Sequence, residues 1–270
     1  MKTLSNCPNC TTPLSSPFNT CDECGWSQSG EIGSRKNKLS TMPTFLQMTG
    51  GEMWMGSPSS EKGRDPDETL HRRVVTPFWI ANTEVTQGLY YDIMRSNPST
   101  HKHRLKPVES LTWFESLFFC NALSTFYRRD QVYAALDTET PTYNTMRNGF
   151  RLPTEDEWEW MAKNHPQNLP PHQNQTGWTT QPTKTNNPNL QWVLGNVWEF
   201  CWDTYTPYQT DDNSISSNIP HNAKVVRGGS WVDQQDIFRS ANRAYVNPRN
   251  KTDTIGFRLA LSFSFKTTDL

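Results

Sequence analysis

Residues 148–160 read Asn148-Gly149-Phe150-Arg151-Leu152-Pro153-Thr154-Glu155-Asp156-Glu157-Trp158-Glu159-Trp160. Thr154 followed three residues later by Glu157 is a capping box: the hydroxyl accepts from the Glu157 N–H, and the Glu157 carboxylate reaches back to the Thr154 N–H. Pro153 stands just before the cap, and the helix is expected to run through EDEWEWMAK. Acids in its first turn suit the positive end of the helix dipole. Glu155, Asp156 and Glu157 look like a catalytic carboxylate cluster, but capping explains them better.

Two more helices carry start signals. Thr86 precedes QGLYYDIM, with a stop at Asn97-Pro98. Thr112 and Glu115 form a second capping box before WFESLFFCNALSTFY. In that helix Trp113, Leu117, Cys120, Leu123 and Tyr127 recur at helical spacing and mark a core face. Cys120 thus reads as a buried thiol rather than a nucleophile. Towards the C-terminus KVVRGGSW and IGFRLALSF alternate with polar turns and read as strands. Residues 164–191 hold one Lys and no acid among many Asn, Gln, Thr and Pro, the composition of an irregular loop. The fold class is α+β with much irregular backbone.

The chain has 270 residues and a formal net charge of −1. That charge gives no broad attraction to nucleic acid or an anionic membrane. Eleven Trp residues argue against disorder. No apolar run approaches the roughly 20 residues of a membrane helix. The N-terminus has no apolar stretch of a secretory signal, so a cytoplasmic protein is expected.

Cys7, Cys10, Cys21 and Cys24 form two Cys-x2-Cys knuckles. Four thiolates at this spacing close a tetrahedral site with no position left for substrate, so a structural zinc ribbon over residues 1–28 is expected. Two disulfides or a rubredoxin-type iron are the alternatives. No Lys or Arg lies between Cys7 and Cys24, which favours a protein contact over nucleic acid. Residues 29–42 read as a polar linker and 43–270 as the main domain.

Standard catalytic signatures are missing. None of the six histidines has HExxH spacing, and His101 and His103 read as solvated side chains. There is no P-loop, and Gly228-Gly229-Ser230-Trp231 is not a nucleophile elbow.

An ordered set of motifs does carry a resemblance. It comprises Gly50-Gly51-Glu52-Met53-Trp54-Met55-Gly56-Ser57, Pro77–Thr86, Pro107-Val108, Asn148–Glu159, Gly195-Asn196-Val197-Trp198-Glu199-Phe200, Arg227–Trp231 and Ile255-Gly256-Phe257-Arg258-Leu259. In this order they resemble the formylglycine-generating enzyme (sulfatase-modifying factor) family over about residues 43–262. The resemblance implies a C-type-lectin-like fold. Within these motifs Arg151, Arg227 and Arg258 stand beside glycines and aromatics, and buried ion pairs or stacking on tryptophan are expected for them rather than ligand contacts.

The enzymes of that family oxidise a substrate cysteine with oxygen and copper, held by two cysteines shortly after the Gly-Gly-Ser motif. Here that stretch is Val232-Asp233-Gln234-Gln235-Asp236-Ile237-Phe238-Arg239-Ser240. Carboxylates and amides are hard ligands that do not hold copper(I). No copper is expected, and the reading leans away from an enzyme. Some members bind calcium near this motif, which would use the carbonyls of Gly195 and Val197 and the carboxylate of Glu199. Trp192 stands where an oxygen-bearing side chain is usual, and the alternative is that Glu199 pairs with an arginine.

The C-terminal third also resembles the variable proteins of diversity-generating retroelements. This implies a ligand-binding face of Trp231, Val232, Asp233, Gln235, Asp236, Phe238, Arg243, Tyr245 and Asn247. The expected function is a non-catalytic binding or adaptor protein recognising a protein or small-molecule ligand. An enzyme of other chemistry, with Asp233, Asp236 or Glu199 as acid/base or metal ligand, is the alternative. A retroelement variable protein is the other.

Overall fold

A computed structural model describes residues 39, 42–165, 179–183, 189–208 and 219–263. The proposed zinc ligands Cys7, Cys10, Cys21 and Cys24 lie outside the described residues. Among the described residues eleven strands are distributed over four small sheets. β1 (Phe45–Met48), β4 (Phe78–Glu84) and β11 (Arg258–Ser262) form one antiparallel sheet in the order β1-β4-β11. β10 (Ile255–Gly256), β7 (Trp198–Thr204), β8 (Lys224–Arg227) and β9 (Arg243–Val246) form another in that order, with β10 parallel to β7 and the rest antiparallel. β2 (Gly51–Met55) with β3 (His71–Val75), and β5 (Tyr133–Ala134) with β6 (Thr142–Tyr143), are two-stranded.

The helices begin where the sequence places them. α1 (Gln87–Met94), α2 (Trp113–Phe126) and α3 (Glu155–Asn164) are capped by Thr86, Thr112 and Thr154, and both capping boxes are complete. α1 stops earlier than Asn97-Pro98, because Arg95 turns left-handed at φ 59° and ends the helix itself. On α2, Trp113, Leu117, Cys120 and Leu123 are buried as expected, while Tyr127 is the half-buried cap.

Two apolar clusters make the core. The first joins α2 to Phe150, Phe200 and Phe257; the second packs Trp158 and Met161 of α3 against Met48, Phe78 and Ile80. Fully buried tryptophans need partners for their N–H groups. Trp113 donates to the Cys201 carbonyl at 2.9 Å, and Trp158 to Glu199 Oε2 at 2.8 Å. The chain entering α3 is bound to β11 by a reciprocal Arg151–Ala260 pair at 3.0 and 2.8 Å. α3 itself packs against β7 and β8 of the four-stranded sheet, of which β9 is one edge.

Candidate functional site

Beneath the C-terminal segment lies a layer of buried arginine–carboxylate pairs, because each motif arginine is drawn out of water and must find a counter-charge. Arg151 binds Glu157 through two nitrogens at 2.6 and 2.7 Å. Arg227 binds Glu159 and its guanidinium lies 5.2 Å from the Trp158 ring. Arg258 grips Glu199 from Nη2 at 2.6 Å and Nε at 2.9 Å. The first-turn acids of α3 are therefore caps and ion-pair partners.

This layer bears on the calcium ligands Gly195, Val197 and Glu199. Both Glu199 oxygens are engaged by Arg258, and Oε2 also accepts from Trp158. A divalent cation there would meet a fully buried guanidinium, so these residues do not fit a calcium ion. Beside them Glu84 is wholly buried; desolvation and then the Glu199 charge push its carboxyl well above the usual range. Among the described residues no group of three or more His, Cys, Asp and Glu side chains is placed to hold a metal.

The loop 228–242 is closed at its base by Arg227. Its Nη1 donates to the carbonyls of Ala241 at 2.8 Å and Asn242 at 2.5 Å, and Nη2 to that of Ser240 at 3.1 Å. Gly228 and Gly229 start the loop at φ 102° and 80°, where a side chain is disfavoured. A Cβ at Gly228 would sit 2.7 Å from the Val193 carbonyl, and one at Gly229 2.8 Å from the Phe238 ring. The far end is tethered by Arg239, which binds Glu68 at 2.6 and 2.7 Å and Glu61 at 2.9 Å.

Several residues expected on one ligand face have other duties. Asp233 Oδ2 accepts from the Ser230 N–H at 2.8 Å, the Ser230 hydroxyl at 2.7 Å and Trp198 Nε1 at 2.9 Å. It is an internal anchor of the loop. Phe238 packs against Gly229 and the second core cluster. Asn247 caps a turn by accepting from the Arg249 N–H at 2.9 Å. Arg243 is buried, bound to Glu155 at 2.8 Å through each of two nitrogens, and lies 3.8 Å from the Tyr208 ring. The resemblance puts it on one face with Tyr245; the structure covers it with residues distant in sequence. Val232, Gln235, Asp236, Tyr245 and Asn247 are exposed, and Trp231 is half-buried.

Trp231 draws in a pair the sequence did not announce. Its Nε1 donates to the Asp253 carbonyl at 3.1 Å, and its ring meets that of His101 edge-on at 5.1 Å. His101 Nε2 lies 3.1 Å from Asp253 Oδ2. His101 is thus a partner within the surface rather than a free solvated side chain. The two are 152 residues apart, so no local signal could have joined them.

On the other side of β9 lies a cleft of about 440 Å³ lined by Asp65, Pro66, Asp67, Tyr205, Ile219, Arg243, Ala244 and Tyr245. The Tyr205 and Tyr245 rings are 4.9 Å apart. The Tyr205 hydroxyl donates to the Asp67 carboxylate. The thiols of Cys120 and Cys201 are fully buried, and that desolvation pushes both well above the usual thiol range. Neither is available as a nucleophile. No helix among the described residues is long and apolar enough to cross a membrane.

Residues 29–263 match the sulfatase-modifying factor enzyme 1-like domain family. Among curated proteins, the chaperone protein LppX of Paenibacillus barcinonensis is 28% identical over 230 residues, 67% of this chain and 77% of its own length. The formylglycine-generating enzyme of Streptomyces coelicolor is 26% identical, covering 80% of this chain and 88% of its own length. The inactive C-alpha-formylglycine-generating enzyme 2 of Mus musculus is 25% identical, covering 84% and 89%. Among solved structures, Treponema denticola variable protein 1 superposes with a TM-score of 0.67 at 24% identity, covering 83% of this chain and 97% of its own. Such likeness establishes the C-type-lectin-like α+β fold.

Proposed function

The chain belongs to the sulfatase-modifying factor enzyme 1-like domain family, and on that premise we propose that it is a non-catalytic ligand-binding or adaptor protein. Its contact surface is formed by Trp231, Val232, Gln235, Asp236 and Tyr245 together with the cleft beside β9. The observation that carries this reading is Asp233. It stands in the stretch after Gly-Gly-Ser where the resemblance puts the copper thiolates of the enzymes, and its carboxylate is committed to Ser230 and Trp198. The relatives include both a formylglycine-generating enzyme and an inactive homologue, so membership is compatible with a lost activity. A relative called a chaperone points towards a protein as ligand.

The test is affinity capture with the purified full chain as bait, beside a Val232→Glu variant. A saturable partner held by the native chain and lost by the variant supports the reading. Turnover of a cysteine-containing peptide with oxygen uptake overturns it. A second reading, a retroelement variable protein, draws on the exposed loop side chains standing over a pinned scaffold. It requires a near-copy of the codons for residues 227–259 beside a reverse transcriptase gene. For the N-terminal unit we propose a structural zinc, and elemental analysis should find about one zinc per chain, lost on Cys7→Ser with Cys10→Ser.

A further inference from the structure

The cleft beside β9 identifies the chemistry of the ligand, an inference that rests on the binding reading above. The arginines beneath it already have their own carboxylates, while Arg64, next in sequence to Asp65, donates from Nε to the Ser57 hydroxyl at 3.2 Å. Arg243 is held by Glu155, Arg239 by Glu68 and Glu61, and Arg227 by Glu159. Asp67 accepts the Tyr205 hydroxyl and stands 3.9 Å from Arg243 Nη1. Asp65 is exposed at the cleft and its carboxylate has no hydrogen bond or ion pair among the described residues. Burial first, and then the Glu68 and Asp67 charges, push its carboxyl upward, against a smaller lowering by Arg239.

The rest of the lining suits the same occupant. The exposed ring of Tyr245 can attract a cation through its quadrupole, whereas the Tyr205 ring is buried and already has the Arg243 guanidinium 4.5 Å from its centroid. Pro66, Ile219 and Ala244 offer apolar wall for a methylene stem, as long basic side chains require. A volume of about 440 Å³ accommodates head and stem together.

We propose that this cleft binds the guanidinium or ammonium head of a basic side chain on a partner protein, with Asp65 as its counter-ion and Tyr245 as its aromatic wall.

The experiment titrates the full chain with N-acetyl-arginine amide and with its neutral isostere N-acetyl-citrulline amide, read by ligand-observed NMR. The arginine probe should bind about ten-fold more tightly than citrulline, a discrimination that one added ionic contact supplies. Asp65→Asn should remove about that factor while leaving the melting temperature unchanged, because Asp65 is exposed. Tyr245→Ala should weaken both probes. Salt raised to about 0.5 M should weaken only the arginine probe. Equal binding of the two probes, or no response to Asp65→Asn, overturns the proposal. The two readings fail separately. A captured partner lost on Val232→Glu but retained on Asp65→Asn leaves the surface as a binding site and removes the cation. Capture unaffected by either removes the surface itself.

Discussion

Arg258 and Glu199 are locked face to face with neither side chain exposed to solvent. Two charges taken out of water cost more than they return unless both are fully hydrogen-bonded. Here Arg258 also donates to the Ala81 carbonyl at 2.9 Å and the Gln191 carbonyl at 3.0 Å, and Glu199 accepts from Trp158. Removing one partner leaves the other charge buried and alone. Arg258→Ala is expected to cost about 3–5 kcal/mol. Urea denaturation measures this; a loss below about 1 kcal/mol would mean water reaches the pair.

The same pair governs the response to calcium. Since the Glu199 carboxylate is engaged by Arg258 and Trp158, neither added calcium nor a chelator should move the melting temperature of the main domain. A rise of several degrees in millimolar calcium would show that the guanidinium yields to the ion.

Asp233 is expected to act on stability. Asp233→Ala strips the acceptor from the Ser230 N–H and from Trp198 Nε1, a loss of about 1–3 kcal/mol. Asp233→Asn keeps an acceptor oxygen and should lose less. If both variants denature like the native chain, the loop is held by other contacts and Asp233 is open to a chemical role.

Asp203 gives the pH dependence. Desolvation, then the Glu155 charge, raise its carboxyl from 3.8 to about 7. An acid whose folded pKa is raised holds its proton more tightly when folded, so its contribution favours the fold below the unfolded value and is lost as pH rises through the folded one. Between about pH 4 and 7 this residue therefore lowers stability as pH increases. Asp203→Asn retains an oxygen for the Glu155 N–H, now bonded at 2.7 Å. The variant should gain on the native chain progressively across that window. A difference that does not change with pH would show that Asp203 is ionised throughout.

What could be read from the chain in advance is whatever chemistry closes over three or four residues. Thr112 with Glu115 and Thr154 with Glu157 announce their helices because cap and partner sit on one turn. Buried pairing of Arg151, Arg227 and Arg258 followed from a charged residue set among glycines and aromatics. The partners themselves did not. Arg239 meets Glu68 across 171 residues and Arg243 meets Glu155 across 88, and no local pattern reports such distances. The resemblance groups Arg243 with Tyr245 on one face, but the cover over Arg243 comes from the 65–67 segment and from Tyr205 and Tyr208, which no local pattern brings together. The cleft was hidden for the same reason.

Arg227 ties the two ends of the 228–242 loop together from below, through main-chain carbonyls alone. Carbonyls are the same whatever side chains they carry. The loop is therefore a cassette: its outward letters at 232, 235 and 236 are open to rewriting while its frame keeps one shape. A lineage that retains Arg227, Glu159 and the paired glycines can change what it recognises without having to learn again how to fold.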